Sequence, residues 1–424
     1  MKITILAIGT LGDVQPLVAL GKGLQAEGHE VSVATHAAFE TFILTNKLGF
    51  FLIEGNIKEA FQSEAGRAAY QGGWNFIKSW HNFARMIKQL IIHAGTDAWT
   101  ACRDADAILF SPIGYLFGPH IAEKLNIPAM AAYFQPIHLT GAFPSFISPT
   151  QRNLGSIFNQ FTHIVAELMY WLPYRSMINK WREECLNLPP IPLTVNYVKQ
   201  MRRQRYPAIY GISPNVLPKP PDWGNNIEIT GYWFLDSSED WNAPKDLVDF
   251  LGSGPPPVYV GFGSTNTGKP KEITDLIIQA LKLTNQRGVL SMGWGGFSQS
   301  DLPDNVFKAE SIPHDWLFPQ MATVIHHGGA GTTAAGLRAG IPSIIVPFFV
   351  DQPFWGQRVS ELGVGPKPIP IKRLSIDRLA VAIMKAVSDK EIQMRAAMLG
   401  EQIRAEDGVN RAVEVINRHI SSFT

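Results

Sequence analysis

The sequence predicts an α/β protein made of two doubly wound parallel-sheet domains, and three observations carry that reading. Apolar runs of strand length alternate with segments of helical period from the N-terminus onward. The alternation stops in a proline- and glycine-rich stretch and then restarts. At 424 residues the chain also exceeds what one ordinary core organises.

The first strand is KITILAIG, residues 2–9, an unbroken apolar run suited to burial on both faces. Lys2 followed by an apolar stretch imitates a signal peptide, but the run is short and is interrupted between Gly9 and Asp13, so a cytoplasmic first strand is expected. VQPLVALGKGLQAEG has helical spacing up to Gly28, and HEVSVATH is the next strand. Further strands follow at ADAILFSP and IPAMAAYF, each after a helical segment; strand, helix, strand at this spacing means a parallel sheet.

Two aromatic stretches interrupt that pattern. In WNFIKSWHNFARMIKQLII, Trp74, Ile77, Trp80, Phe83, Ile87 and Leu90 recur every three or four residues, with Lys78, Arg85 and Lys88 opposite. FTHIVAELMYWLPYRSMINKWREECLNLPP is the second. Both are open to two readings: helices that cover the sheet, or helices that line an apolar acceptor cleft or rest on a membrane surface.

Between Ser213 and Pro257 the density of proline and glycine predicts loops and a junction near residues 235–245. This sets domains at 1–236 and 237–424, with the last helix able to pack back on the first domain. After the junction, PVYVGFGSTNTG repeats the form of the opening, and KEITDLIIQALKLTNQRG is its helix. Strands are expected at VLSMGWG, VFKAE, ATVIHH and PSIIVPF, and the tail KEIQMRAAMLGEQIRAEDGVNRAVEVINRHI reads as two helices.

Composition excludes several functions. With 37 basic and 36 acidic residues, the net charge of +1 offers no general attraction to nucleic acid or to an anionic membrane. Cys102 and Cys185 are too few for a disulfide framework or a thiolate metal site. IPSIIVPFFV, the longest later apolar run, is broken by Pro347 and too short to span a bilayer. Asp104-Ala-Asp106 has the form of a metal-binding Asp-x-Asp, yet it precedes a strand and so falls at the wrong end of the sheet for a ligand.

The segment HHGGAGTTAAGL, residues 326–337, delivers a strand through glycines to a helix N-terminus, a general anion site. Gly328, Gly329 and Gly331 let a phosphate approach the backbone, while Thr332, Thr333 and His327 add donors; a diphosphate is the natural guest. A Gly-Lys-Ser/Thr P-loop is absent, and neither GTLGD nor VSVATH supplies the fingerprint or strand-end acid of a dinucleotide site. Asp351 and Gln352 follow a strand end and offer a carboxylate and an amide to hydroxyl groups, or serve as plain turn residues beside Pro353. Asp13 follows the first strand, where it can act as a base or cap a helix starting at Val14 or Gln15.

HHGGAGTT, PFFVDQPFWGQRV and GTLGDVQPLVAL together resemble the nucleotide-sugar-dependent glycosyltransferases of the GT-B fold, two facing Rossmann-like domains. SIPHDWLFP, SMGWGG and the FTHIVAEL region are similar to the sterol 3-beta-glucosyltransferase branch. The resemblance implies an inverting, metal-independent transferase without a cofactor, moving glucose from UDP-glucose as co-substrate to a lipophilic alcohol such as a sterol or triterpenoid. It assigns His327, Gly329, Gly331, Thr332 and Ser264 to the diphosphate, Asp351 and Gln352 to the sugar, and Ile312 and Trp294 to the nucleoside. Trp294 also reads as an ordinary core aromatic.

By the same resemblance Asp13 is the catalytic base, standing where the plant branch carries a histidine. Ser111 replaces the supporting aspartate of that branch, so a His-Asp dyad is not expected, and His138 is the alternative helper. Trp74, Trp80 and His138 are the acceptor-side residues. Partners are therefore a nucleotide sugar and a lipophilic small molecule, with no nucleic acid, in the cytoplasm or peripheral to a membrane. The runner-up is an antibiotic, polyketide, flavonoid, carotenoid or glycolipid transferase using UDP- or TDP-sugars. A nicotinamide oxidoreductase lacks its fingerprint here, and a bilobal solute-binding protein would carry an export signal.

Overall fold

A computed structural model describes residues 1–71, 76–237, 241–263, 270–291, 302–310 and 312–423. The chain divides into two compact units, one of residues 1–65, 80–235 and 406–424, the other of 66–79 and 236–405. Among the described residues each unit contains one parallel sheet.

In the first unit seven strands run β1 (Lys2–Leu6), β2 (Glu30–Thr35), β3 (Gly49–Leu52), β4 (Ala107–Phe110), β5 (Ala129–Tyr133), β6 (Ala208–Tyr210) and β7 (Ile227–Ile229). Their spatial order is β3-β2-β1-β4-β5-β6-β7, all pairs parallel. The order reverses between β1 and β4, which makes the C-terminal ends of those two strands the switch point where such sheets place ligands. β7 lies inside the segment expected to be loop; three residues in a proline-rich stretch give too short a run for period analysis.

Five helices matter for the site in this unit: α1 (Leu11–Ala26), α2 (Phe76–Leu90), which belongs to it from Trp80 onward, α3 (Ser156–Trp171), α4 (Arg175–Glu184) and α5 (Tyr197–Arg203). The start of α1 corrects the expected Val14 or Gln15. Thr10 is its N-cap and Asp13 is the third helical residue, so the cap motif begins the helix early even though Pro16 then removes one interior hydrogen bond. The α2 stripe is realised at Trp80, Ile87 and Leu90, which are buried, whereas Ile77 is exposed. The C-terminal helix Gly408–Phe423 belongs to the first unit, where it packs on α1; Gly23 gives the close approach, since a Cβ there would lie 2.5 Å from Val409.

The second unit has five strands, β8 (Val258–Gly261), β9 (Gly288–Ser291), β10 (Val306–Ala309), β11 (Thr323–His326) and β12 (Ser343–Ile345), ordered β10-β9-β8-β11-β12. Alternate residues feed cores on both faces. Val258, Val260, Leu290, Ile325 and Ile344 join one with Ile277, Leu281 and Ile383, while Tyr259, Val289 and Val324 join the other with Leu247, Leu317 and Phe318. Burial on both faces is why these strands read as near-continuous apolar runs. Among the described residues no helix is long and apolar enough to cross a membrane.

Candidate functional site

The second unit concentrates polar chemistry at its switch point, the C-terminal ends of β8 and β11. β11 ends at His326 and α6 (Ala330–Ala339) begins after the N-cap Gly329. The first intrahelical bond runs from Thr333 N–H to the Gly329 carbonyl at 2.9 Å, so the amides of Ala330, Gly331 and Thr332 stand ahead of the helical ladder. Gly328 makes the turn possible. Its φ is +91°, and a Cβ would lie 2.6 Å from Ile345 Cγ2 and 3.1 Å from the Gln352 carbonyl oxygen.

That last distance also shows that the structure brings the glycine turn and the Asp-Gln turn together. Asp351 stands at the N-cap position of α7 (Gln352–Glu361) without a side-chain capping bond, and both Asp351 and Gln352 are buried. Asp351 Oδ2 accepts from Trp355 Nε1 at 3.1 Å. Gln352 Oε1 accepts from Phe348 N–H at 2.8 Å, which orients the carboxamide and leaves its nitrogen as the group to offer a ligand. The preceding Val350 has φ +61°, a strained conformation for a β-branched residue and the kind of outlier that gathers at binding sites.

Burial controls the histidines here. His326 Nδ1 accepts from Gly328 N–H at 3.1 Å, which leaves the ring proton on Nε2. Burial, with His314 nearby, pushes His327 down to about 4, so at neutral pH it is an uncharged imidazole able to donate one hydrogen bond. Gly263, just after β8, packs against that ring: a Cβ there would lie 3.1 Å from His327 Cε1. Ser264 follows directly, but it lies outside the described residues, as do Trp294 and Trp74. Ile312 packs its side chain on the core with Leu247, Tyr259 and Leu317.

In the first unit Asp13 stands at the β1/β4 switch point. Its Oδ2 accepts from Thr10 N–H at 2.8 Å and from the Thr10 hydroxyl at 3.0 Å. Burial raises its pKa, and the two Thr10 bonds pull the other way without cancelling it. Gly9, at φ +146°, gives the carboxylate room, because a Cβ there would lie 2.4 Å from Asp13 Oδ2. Gly9→Ala is therefore expected to destabilise the protein by about 1–3 kcal/mol, read in a thermal melt; an unshifted melt would show that the turn relaxes freely. Ser111 is no partner for Asp13 in the usual sense: it is buried, and its Oγ accepts from Ile8 N–H and Gly114 N–H, both at 3.2 Å.

The first unit also holds a mainly apolar pocket, walled in part by Pro112, just after β4, and by Ala131 and Tyr133 of β5. Tyr115, Tyr133, Phe146, Tyr170, Tyr206 and His138 are among its walls. The Tyr210 hydroxyl accepts from the backbone N–H groups of Ile137 and His138, both at 3.2 Å, and so directs its own proton to His138 Nδ1 at 2.5 Å. Burial holds His138 down to about 4. The neutral ring with Nδ1 occupied carries its proton on Nε2, which makes His138 a hydrogen-bond donor and not a base.

Trp80 does not line the cavity. It packs edge-on behind Tyr170, ring centroids 5.9 Å apart. Sequence reasoning also missed a wall element, the pair of Glu167 and Arg202 at 2.8 Å. A lone acid inside the apolar run FTHIVAEL was the available signal; its cation sits 35 residues away on another helix. At the opposite end of the sheet Asp106 Oδ2 accepts from Lys2 N–H at 2.7 Å, a structural role for the Asp-x-Asp segment.

Residues 3–144 match the Glycosyltransferase family 28 N-terminal domain, and residues 296–418 match the Erythromycin biosynthesis protein CIII-like, C-terminal domain. Solved structures with the same fold include the glycotransferase of kitacinnamycin, at TM-score 0.71 and 17% identity over 99% of each chain. Glycosyltransferase VinC in complex with DTDP is another, at TM-score 0.68 and 17% identity over 100% of each chain. These place the two parallel-sheet units in the GT-B fold.

Identity is much higher to two sterol 3-beta-glucosyltransferases. UGT80B1 of Arabidopsis thaliana is 39% identical over 427 residues, covering 99% of this chain and 68% of that protein. The enzyme of Pichia angusta is 39% identical over 427 residues, covering 98% of this chain but 33% of that protein. The chain thus spans about two-thirds of the plant relative and one-third of the yeast one. The likeness to UGT80B1, carried across both units with the glycine turn and the Asp-Gln turn in contact, means that the chain belongs to the sterol 3-beta-glucosyltransferase family of GT-B glycosyltransferases.

Proposed function

We propose that the protein is an inverting, metal-independent hexosyltransferase that moves glucose from UDP-glucose to the hydroxyl of a sterol or sterol-like triterpenoid. The observation that carries this reading is the contact between Gly328 and Gln352, because it places an anion-binding helix N-terminus beside two buried groups suited to sugar hydroxyls. The amides at Gly329, Gly331 and Thr332, with His327 and Ser264, hold the diphosphate, and its charge leaves with the nucleotide. Asp351 and Gln352 hold the glucosyl hydroxyls, and Ile312 and Trp294 border the nucleoside.

The acceptor occupies the tyrosine-walled cavity, where His138 donates to an acceptor oxygen and Trp80 supports Tyr170 from behind; Trp74 is assigned to the same side. Asp13 removes the proton of the attacking hydroxyl as the new bond forms at the anomeric carbon, on the face opposite the departing diphosphate. Burial raises the pKa of Asp13, which strengthens its carboxylate as a base. A second reading, an antibiotic- or polyketide-type transferase using a UDP- or TDP-sugar, is favoured by the erythromycin-biosynthesis-like C-terminal match.

The test is acceptor-dependent UDP release from UDP-glucose with a sterol, a flavonoid or no acceptor, and product mass determined in each case. A sterol product heavier by one hexose, formed equally with and without EDTA, is the expected outcome. Release only from TDP-glucose would favour the second reading, and an EDTA-abolished rate restored by magnesium would overturn metal independence.

A further inference from the structure

A pocket made only for hydrocarbon needs no charge in its walls, yet this one has a carboxylate and a guanidinium side by side. Glu167 of α3 and Arg202 of α5 both line it. Oε1 of Glu167 accepts from Arg202 Nε at 2.8 Å, and Oε2 accepts from Nη2 at 3.5 Å. The Glu167 side chain is only 6% exposed. Burying such a pair sacrifices the hydration of two ions, and apolar side chains of similar size would join α3 to α5 at least as well. Stability alone therefore does not account for it.

The pair also has capacity to spare. Arg202 Nη1 has no hydrogen-bond partner among the described residues, and the Glu167 carboxylate accepts from Arg202 alone, which leaves lone pairs open. Tyr206, in the same wall, has a hydroxyl that makes no hydrogen bond among the described residues. Its backbone N–H donates to the Met201 carbonyl at 3.0 Å, which sets it beside the turn of α5 that carries Arg202.

Sheet order gives these groups a place in the pocket. In the order β1-β4-β5-β6, the wall residue Pro112 follows β4, the neighbour of β1, whereas Tyr206 immediately precedes β6. Neighbouring strands lie about 4.8 Å apart, so these two walls are two spacings, about 10 Å, from each other across the sheet. Asp13 belongs to the turn after β1, and the ion pair belongs to the far end.

We propose that Glu167 and Arg202 bind a second hydroxyl of the acceptor, at the end of its ring system opposite the hydroxyl that reacts, so that the preferred acceptors are lipophilic diols. The assignment rests on the acceptor occupying this pocket, as proposed above. A hydroxyl is the matching group because it donates to the carboxylate and accepts from the guanidinium N–H at once. A ketone would engage Arg202 alone, and a ligand carboxylate would face the charge of Glu167.

The test is equilibrium binding without donor, read by quenching of the intrinsic aromatic emission, for three ligands on one sterol nucleus. They are androstenediol, dehydroepiandrosterone, in which a ketone replaces the second hydroxyl, and the corresponding mono-alcohol. The diol is expected to bind about tenfold or more tighter than the mono-alcohol, the scale of hydrogen bonds to charged groups, with the ketone gaining less. Glu167→Leu combined with Arg202→Met removes both charges together, so no unpaired ion is left buried, and should bring the diol and the mono-alcohol within about twofold. Arg202→Lys keeps an ion pair but loses the planar fork, and should reduce the diol preference even if the double variant fails to fold.

In turnover the same loss should appear in KM for the diol rather than in kcat, which a merely structural role of the pair would not produce. Wild-type protein that binds the diol and the mono-alcohol equally, or variants that retain the preference, would overturn the proposal. If glucose still reaches each ligand in that case, the function proposed above stands without it. Failure of all three ligands to bind or to accept glucose would overturn both.

Discussion

Asp13→Asn is expected to lower turnover by roughly 10² to 10⁴ while leaving the affinity for UDP-glucose within about twofold, the pattern of a lost general base. The substitution isolates chemistry from folding. Asparagine keeps an oxygen for the Thr10 N–H, so the helix start that depends on that 2.8 Å bond survives and the melting temperature should hold. An unreactive variant that also melts early would instead reduce Asp13 to a capping residue, and unchanged turnover would end its role as base.

The pH profile offers a second check with a definite sign. Burial raises the Asp13 pKa, and the base works only when ionised. Activity should therefore fall on acidification through a value above the ordinary aspartate range near ~3.9, and the surviving rate of the asparagine variant should lack that acid limb.

His327→Ala is expected to weaken UDP-glucose binding by about 10- to 100-fold, corresponding to about 1.5–3 kcal/mol for a hydrogen bond to a charged group. Isothermal titration checks it, and unaltered affinity would remove His327 from the diphosphate site. Because burial pushes this histidine down to about 4, it donates as a neutral ring, and binding to the wild type should stay level between about pH 5.5 and 8. UDP-glucose is the right probe, since its diphosphate carries a constant charge over that range. Affinity that rises on acidification through ~6.5 would mean a charged imidazole and a different local environment.

Much of the fold was legible because strands buried on both faces must be apolar throughout, which made KITILAIG, PVYVGF and ATVIHH readable without any knowledge of their neighbours. The glycine turn was legible for a related reason: glycines before a small-residue helix advertise uncovered amides wherever they occur. Short elements were not. β7 has three residues in a proline-rich segment, and reading Asp13 as a cap put the start of α1 at Val14 or Gln15, whereas Thr10 is the cap and Asp13 lies in the first turn.

The site divides along the same line. Sequence by itself determined the residue types and their local order: His327 with the glycines, Asp351 with Gln352, and Asp13 after the first strand, each set within one turn of chain. Tertiary structure alone decided which sets meet. The Gly328–Gln352 contact spans 24 residues, the Glu167–Arg202 pair spans 35, and His138 takes its tautomer from Tyr210, 72 residues away. It also decided that Trp80 stands behind the cavity wall and that a stripe of α3 faces solvent. The physical reason is that helical period marks an apolar face without naming what covers it, and burial, which raises the pKa of Asp13 and lowers that of His327, exists only once the neighbours have assembled.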